Sequence, residues 1–269
     1  MKIGFIGGGN MARAMIGGLK QHAFEMHNIT VLESDAQKRA DLTLDFNVQV
    51  TDTYAGIAHA DVLVLAVKPQ QLKVVCDTLN PILQNQLIVS IAAGIRSEDI
   101  IRWLNDYQSV VRVMPNTPAQ IQAGISVMYA SQGVTQLQRE QSTQILSAVG
   151  KVLWIAEESK MDAVTAISGS GPAYVFYLIE ALQEAGIKLG LTAEEACLLA
   201  LETFSGASQL AVLSQDSVQQ LRAQVTSKGG TTEQGILALQ AANVKEVICN
   251  ATLAAANQSK VLGDQLGKQ

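Results

Sequence analysis

The chain has 269 residues, 48% of them hydrophobic and 4% aromatic, which is enough for one large core or two modest ones and excludes a disordered chain. Its net charge of −5, with no basic cluster, argues against a general nucleic-acid binder. Cys76, Cys197 and Cys249 are far apart, a pattern that suits buried free thiols in a reducing compartment better than a disulfide or a metal site.

At the N-terminus Lys2 is followed at once by Ile3, Phe5 and Ile6 and then glycines, so no long apolar region precedes a cleavage site. No stretch reaches the roughly 18 uninterrupted apolar residues of a membrane helix. The expectation is a cytoplasmic protein whose partners are neither membrane nor nucleic acid.

Short β-branched runs occupy 2–7, 29–33, 62–67, 87–92, 110–114, 125–130 and 152–156. Helical patterns fall between most of them, as at 10–21, 35–45, 70–79 and 97–105. Apolar runs alternating with helices predict parallel strands covered on both faces, an α/β doubly wound sheet over residues 1–157.

The first strand runs into FIGGGNMA (5–12), which places Gly7, Gly8, Gly9, Asn10, Met11 and Ala12 between a strand and a helix. In that setting Gly7 permits a tight turn, Gly9 lets backbone approach a pyrophosphate, and Ala12 brings the helix close to the sheet. The helix N-terminus offers free N–H groups to the phosphates. The second strand ends at Glu33, Ser34 and Asp35, with Lys38 and Arg39 a turn later. An acid there suits the ribose 2′-hydroxyl of NADH, whereas Ser34 and the two cations suit the 2′-phosphate of NADPH; the two signals conflict.

Three more loops follow strands at their carboxyl ends, where such sheets bind ligands. AVKP (66–69) holds Ala66, Val67 and Lys68; SIAAGI (90–95) holds Ala92, Ala93 and Gly94; MPNTP (114–118) holds Asn116 between two prolines. Together they predict a nicotinamide pocket, Asn116 presenting its amide.

Past residue 157 the pattern turns helical, at 173–190, 193–213 and 244–262. Thr192 and Glu195 have the spacing of a capping box, and Gly186 and Gly190 mark the end of the helix before it. The 193–213 helix is apolar or small over much of its circumference, which calls for burial, part of it against a second subunit. Residues 158–269 therefore read as an all-α domain with part of its surface in a dimer interface. Its second glycine loop, SKGGTTEQG (227–235), puts Gly229, Gly230, Thr231 and Thr232 where a helix begins. Such a start binds an anion through free N–H groups, or is a plain cap in which Thr231 reaches toward Gln234.

FIGGGNMA, LAVKP, SIAAGI, VMPNTP, AISGSGPAY (166–174) and SKGGTTEQG, in this order, resemble the pyrroline-5-carboxylate reductases, from residue 1 to about 262. The resemblance implies a Rossmann domain, a helical dimerisation domain, NADPH or NADH as hydride donor, dimers assembled into larger rings, and a cyclic imino-acid substrate reduced to proline. It assigns the substrate carboxylate to the 229–232 loop and a hydrogen bond to the imine nitrogen to Thr232, the catalytic candidate. Ser168, Gly169, Ser170 and Gly171 would shape a pocket just before a helix that Pro172 starts. Lys228 stands where the family usually has proline.

No metal-binding spacing occurs, and His22, His27 and His59 all fall on helix or turn stretches of the nucleotide half. A protonated imine already carries its charge, so orientation is the main requirement. One alternative is a hydroxyisobutyrate- or 6-phosphogluconate-type dehydrogenase, which would need a lysine in the helix at 173–185, where none occurs before Lys188. Another is a non-catalytic NAD(P)-binding protein, which need not keep SGSGPAY and GGTT.

Overall fold

The computed structural model describes residues 1–268 and divides into two compact units, Met1–Ser170 with Ala254–Gln269, and Gly171–Leu253. The end of the last helix thus belongs with the sheet and not with the other helices.

The first unit is built on one eight-stranded sheet of order β3-β2-β1-β4-β5-β6-β7-β8. The strands are β1 Ile3–Ile6, β2 Ile29–Leu32, β3 Gln49–Thr51, β4 Val62–Leu65, β5 Leu87–Ser90, β6 Val110–Met114, β7 Gly124–Ala130 and β8 Gly150–Trp154. Helices α1 (Asn10–Gln21), α2 (Ala36–Phe46), α3 (Leu72–Leu79), α4 (Ser97–Trp103) and α5 (Gln136–Ser147) connect them. Successive residues of a strand point to opposite faces, and both faces are covered. Ile3, Phe5, Val62 and Val64 pack with Ala12, Met15 and Ile16 of α1; Ile6, Leu63 and Leu65 pack with Leu72, Cys76 and Leu79 of α3.

Two features of the sheet escape the sequence reading. β3 is only three residues long, too short to leave a periodic signal. β7 pairs antiparallel to β6. The connection between them, residues 115–123, is too short for a parallel crossover, which takes a dozen or more residues.

After β8 the chain enters α6 (Met161–Val164), a π-helical turn (Thr165–Gly169) and α7 (Gly171–Lys188). Ser168, Gly169 and Ser170 thus stand just before the helix that begins at Gly171, as read from the sequence, but not in an open loop. They lie in a widened turn, where the Ser170 N–H donates to the Thr165 carbonyl at 2.8 Å. Pro172 has no N–H to continue the ordinary ladder, and π-turns of this kind are frequent at functional sites.

The second unit comprises α7, α8 (Ala193–Leu213), α9 (Val218–Gln224), α10 (Thr231–Ala241) and the first part of α11 (Val244–Gly267). The capping box of α8 forms with both bonds, Glu195 N–H to Thr192 Oγ1 at 3.2 Å and Thr192 N–H to Glu195 Oε2 at 2.8 Å. Gly190, at φ +98°, ends the turn after α7. Gly186 lies inside α7, where a Cβ would stand 3.0 Å from the Cβ of Ala196, so its role is close packing against α8.

Few side chains of this unit are buried within it. Phe176, Tyr177, Leu182, Leu198, Leu213 and Leu237 are all exposed. α8 is also long and apolar enough to cross a membrane, with a mean hydropathy of 1.4. Of the cysteines, Cys76 is buried as expected, but Cys197 on α8 and Cys249 on α11 are exposed on the single chain. Their burial, read from sequence, would need a partner surface.

Candidate active site

Parallel pairing of β1 with β4, β4 with β5 and β5 with β6 brings the loops that follow them to one edge. Gly7 takes φ +97°, and a Cβ there would stand 2.7 Å from the Ala66 carbonyl oxygen; only glycine fits. The 7–9 and 66–68 loops are therefore in contact, with Lys68 exposed beyond them. Gly9 is the N-cap of α1, without a side-chain cap bond. A Cβ on Gly9 meets nothing within 4 Å. Asn10, Met11 and Ala12 open the helix with N–H groups that have no partner inside it. This open cradle at a helix start fits a pyrophosphate.

Gly8 is held differently from what its motif implied. Its N–H donates to Glu33 Oε2 at 2.9 Å, while Glu33 Oε1 accepts the Asp35 N–H at 3.0 Å. Burial raises the Glu33 pKa, but the bonds from Asp35 and Gly8, with Lys38 nearby, outweigh it and hold the carboxyl below its usual range. Arg39 Nη1 donates to the carbonyls of Glu33 and Ser34 at 2.7 and 2.8 Å. Ser34 and Lys38 remain exposed beside it. The acid of this corner is engaged with the glycine loop and also accepts the Ser34 hydroxyl at 3.4 Å, while Lys38 is exposed.

After β5, Ala92 and Gly94 are buried and Ala93 is exposed. Ser97 at the start of α4 donates its N–H to Glu158 Oε1 at 2.7 Å and its hydroxyl to Oε2, and buried Arg112 of β6 donates to the same Oε1 at 2.9 Å. Asn116 Oδ1 accepts the Ile125 N–H at 2.9 Å, so the carbonyl side of its amide pins the turn into β7 and the NH₂ side takes no part in that bond. A Cβ on Gly169 would stand 2.3 Å from Met114 Cε. The SGSG turn therefore meets the carboxyl end of β6, while the Ser168 hydroxyl donates back to the Val164 carbonyl at 3.0 Å. Gly171, the first residue of α7, has nothing within 4 Å of a Cβ.

In the second unit, α10 begins at Thr231 with Gly230 as its N-cap and no side-chain cap bond. The Thr231 hydroxyl does not cap it; the Gly230 carbonyl accepts the Gln234 N–H at 3.3 Å. Gly229 has φ +74° and donates its N–H to Glu233 Oε2 at 2.7 Å. The Gly230 N–H donates to the Ser227 carbonyl at 3.0 Å. These two bonds order the loop that carries Lys228. Thr231 and Thr232 are exposed, and first-turn N–H groups lack partners inside the helix.

Three partners escaped sequence reasoning. Glu33 toward Gly8 and Glu158 toward Arg112 had no local signal. Glu233 did carry one, since an acid at the third helical position commonly reaches back to the residues before the helix. Among the described residues no His, Cys, Asp and Glu cluster could hold a metal ion.

Two family models match successive parts of the chain. A family model described as pyrroline-5-carboxylate reductase dimerisation matches residues 158–262, and one described as NADP oxidoreductase, coenzyme F420-dependent, matches 2–94. A pyrroline-5-carboxylate reductase of Pseudomonas aeruginosa is 46% identical over 269 residues, covering 99% of this chain and 98% of that protein. The structure of a pyrroline-5-carboxylate reductase from Coxiella burnetii superposes with a TM-score of 0.93 at 42% identity, covering 97% and 98% of the two chains. The Plasmodium falciparum pyrroline carboxylate reductase, solved with NADP bound, superposes with a TM-score of 0.87 at 30% identity and covers 98% of each chain. With this full-length likeness, and a glycine-capped helix start in each unit, the chain belongs to the pyrroline-5-carboxylate reductase family.

Proposed function

We propose that this protein reduces 1-pyrroline-5-carboxylate to L-proline, the hydride coming from NADPH, or NADH, when bound. Gly7, Gly9 and the first turn of α1 hold the pyrophosphate. Ser34 and Lys38, with Arg39 fixed beside them, receive the 2′-phosphate. Ala66, Val67, Ala92, Ala93 and Asn116 line the nicotinamide position.

The observation that carries the substrate side is the start of α10. Gly230 caps it without a side chain, so its first N–H groups are free for a carboxylate. Thr232 hydrogen-bonds the imine nitrogen. The carbon of the protonated C=N bond accepts the hydride and the nitrogen becomes the secondary amine of proline, so no strong base is required. Ser168 and Gly171 contact the substrate. Lys228 adds a positive charge near the carboxylate, and Glu233 supplies the loop order that proline gives in relatives.

The working unit is a homodimer through the helical residues 158–269, assembled further into a ring of dimers in the cytoplasm. The exposed apolar residues of α7 and α8 support the dimer. A steady-state assay tests the reading: NADPH oxidation is expected with the cyclic imine, and no reduction of NAD(P)+ with a 3-hydroxy acid. Turnover of the hydroxy acid alone would favour the rival dehydrogenase class.

A further inference from the structure

We infer that the end of α11 is a positioning element for the loop after β5, with Gly263 and Asp264 as the residues that set the loop's shape for the nucleotide. The inference rests on the reading of Ala92–Gly94 as a nicotinamide contact.

The last helix is 24 residues long, and its buried residues, Ser259, Gly263 and Gly267, are spaced four apart and share one face. Each meets a different part of the sheet unit. The Ser259 hydroxyl donates to Asp162 Oδ1 at 2.7 Å. A Cβ on Gly267 would stand 2.4 Å from Asp99 Oδ2, a side-chain atom of α4. Gly263 faces the loop itself: a Cβ there would stand 2.6 Å from the Gly94 carbonyl oxygen. From the other side, Gly94 has φ +81°, and a Cβ on it would stand 3.5 Å from the Gly263 nitrogen. Two residues on, Arg96 Nη2 donates to Asp264 Oδ1.

The loop is thus held twice. α11 fixes Gly94 and Arg96, while Glu158 fixes Ser97. Ala93 is left exposed just ahead of these points. A backbone contact between glycines leaves no slack, so any atom added at position 263 must move the Gly94 peptide. A loop already shaped before the nucleotide arrives costs less ordering on binding. The Gly267 contact docks the same helix without touching the loop, which separates positioning from mere docking.

The test compares Gly263→Ala, Gly267→Ala and Asp264→Asn with the parent full-length protein. NADPH affinity is read by nucleotide fluorescence, loop order by hydrogen exchange over residues 91–97 without nucleotide, and stability by Tm. Both glycine variants are expected to lower Tm. Gly263→Ala should weaken NADPH about tenfold and Gly267→Ala by less than about twofold. Exchange over 91–97 should quicken in Gly263→Ala and Asp264→Asn only. Equal NADPH affinities in the two glycine variants would overturn the inference. If Gly263→Ala does not fold, Asp264→Asn decides, since it adds no bulk; unchanged affinity and exchange in it also overturn the inference. A parent that binds NADPH but does not reduce the imine refutes the proposed function and leaves this comparison decisive. A parent that does not bind NADPH refutes both.

Discussion

The carboxylate of Glu33 accepts the backbone N–H of Gly8 at 2.9 Å. An acid at the end of the second strand is commonly read as a partner of the ribose 2′-hydroxyl, but here it braces the glycine loop. Glu33→Ala should therefore weaken NADH and NADPH by a similar factor, roughly tenfold for a hydrogen bond to a charged group. Titration with each nucleotide checks it. Selective loss of NADH, with NADPH spared, would return Glu33 to the ribose.

The same bond fixes a pH dependence. The folded-state pKa of Glu33 lies below its ordinary 4.5, so the folded state favours the charged form. Its contribution to stability is complete above about pH 4.5 and is lost as pH falls through the lowered value. Acid unfolding of the parent should have a limb in that range that shrinks in Glu33→Gln. An unchanged acid limb in a folded Glu33→Gln protein would show that the carboxylate does not brace the loop.

Gly9 and Gly7 should separate binding from folding. Gly9 has φ −71° and open space around its missing Cβ, so Gly9→Val should fold with a stability change within about 1 kcal/mol. Its side chain would occupy the pyrophosphate approach, and NADPH affinity should fall on the order of 100-fold. Gly7→Ala should instead destabilise by about 1–3 kcal/mol from strain at positive φ, besides its clash with Ala66. Normal NADPH titration of folded Gly9→Val would remove the pyrophosphate from this loop.

Much of this was legible because it is local. Helix α1 falls on 10–21 and α8 on 193–213 as their periodicity implies, and the glycine loop announces itself by spacing. What was not legible depends on tertiary geometry. The direction of β7 follows from the length of its connection and not from its composition. The bonds of Glu158 to Ser97 and Arg112 join residues 61 and 46 positions apart. The run SGSG at 168–171 reads as a break because it is all serine and glycine, yet the chain passes through a π-helical turn at 165–169 into α7 at Gly171.

Cysteine reactivity should report both the core and the assembly. Burial, followed by the charge of Asp77, pushes the Cys76 thiol up to about 12, so it should resist alkylation at pH 8 in the native protein. Cys197 and Cys249 are exposed on the single chain. If their helical faces are covered in the dimer, both should react faster as the protein is diluted toward dissociation. Mass-spectrometric labelling across a concentration series, paired with sedimentation, checks this. Rates that stay constant while the dimer dissociates would place the subunit contact elsewhere.

The decisive substitution on the substrate side is Thr232→Ala. A change at Gly230 is not clean, because a Cβ there would stand 2.6 Å from the Ser227 hydroxyl oxygen and would reshape the loop whatever it binds. Thr232→Ala leaves the Gly230 cap, the Glu233 bond to Gly229 and the backbone donors in place. Losing one hydrogen bond to a charged nitrogen costs roughly 1.5–3 kcal/mol, so kcat/KM for the imine should fall roughly 10- to 150-fold at about 1.4 kcal/mol per decade. Thr232→Ser keeps the hydroxyl and should recover most of that loss. NADPH affinity should stay within about twofold of the parent in both, since the nucleotide is assigned to the other unit. If Thr232→Ala weakens NADPH as much as turnover, or if Thr232→Ser is as impaired as Thr232→Ala, the hydroxyl does not act on the imine and the start of α10 is only a helix cap.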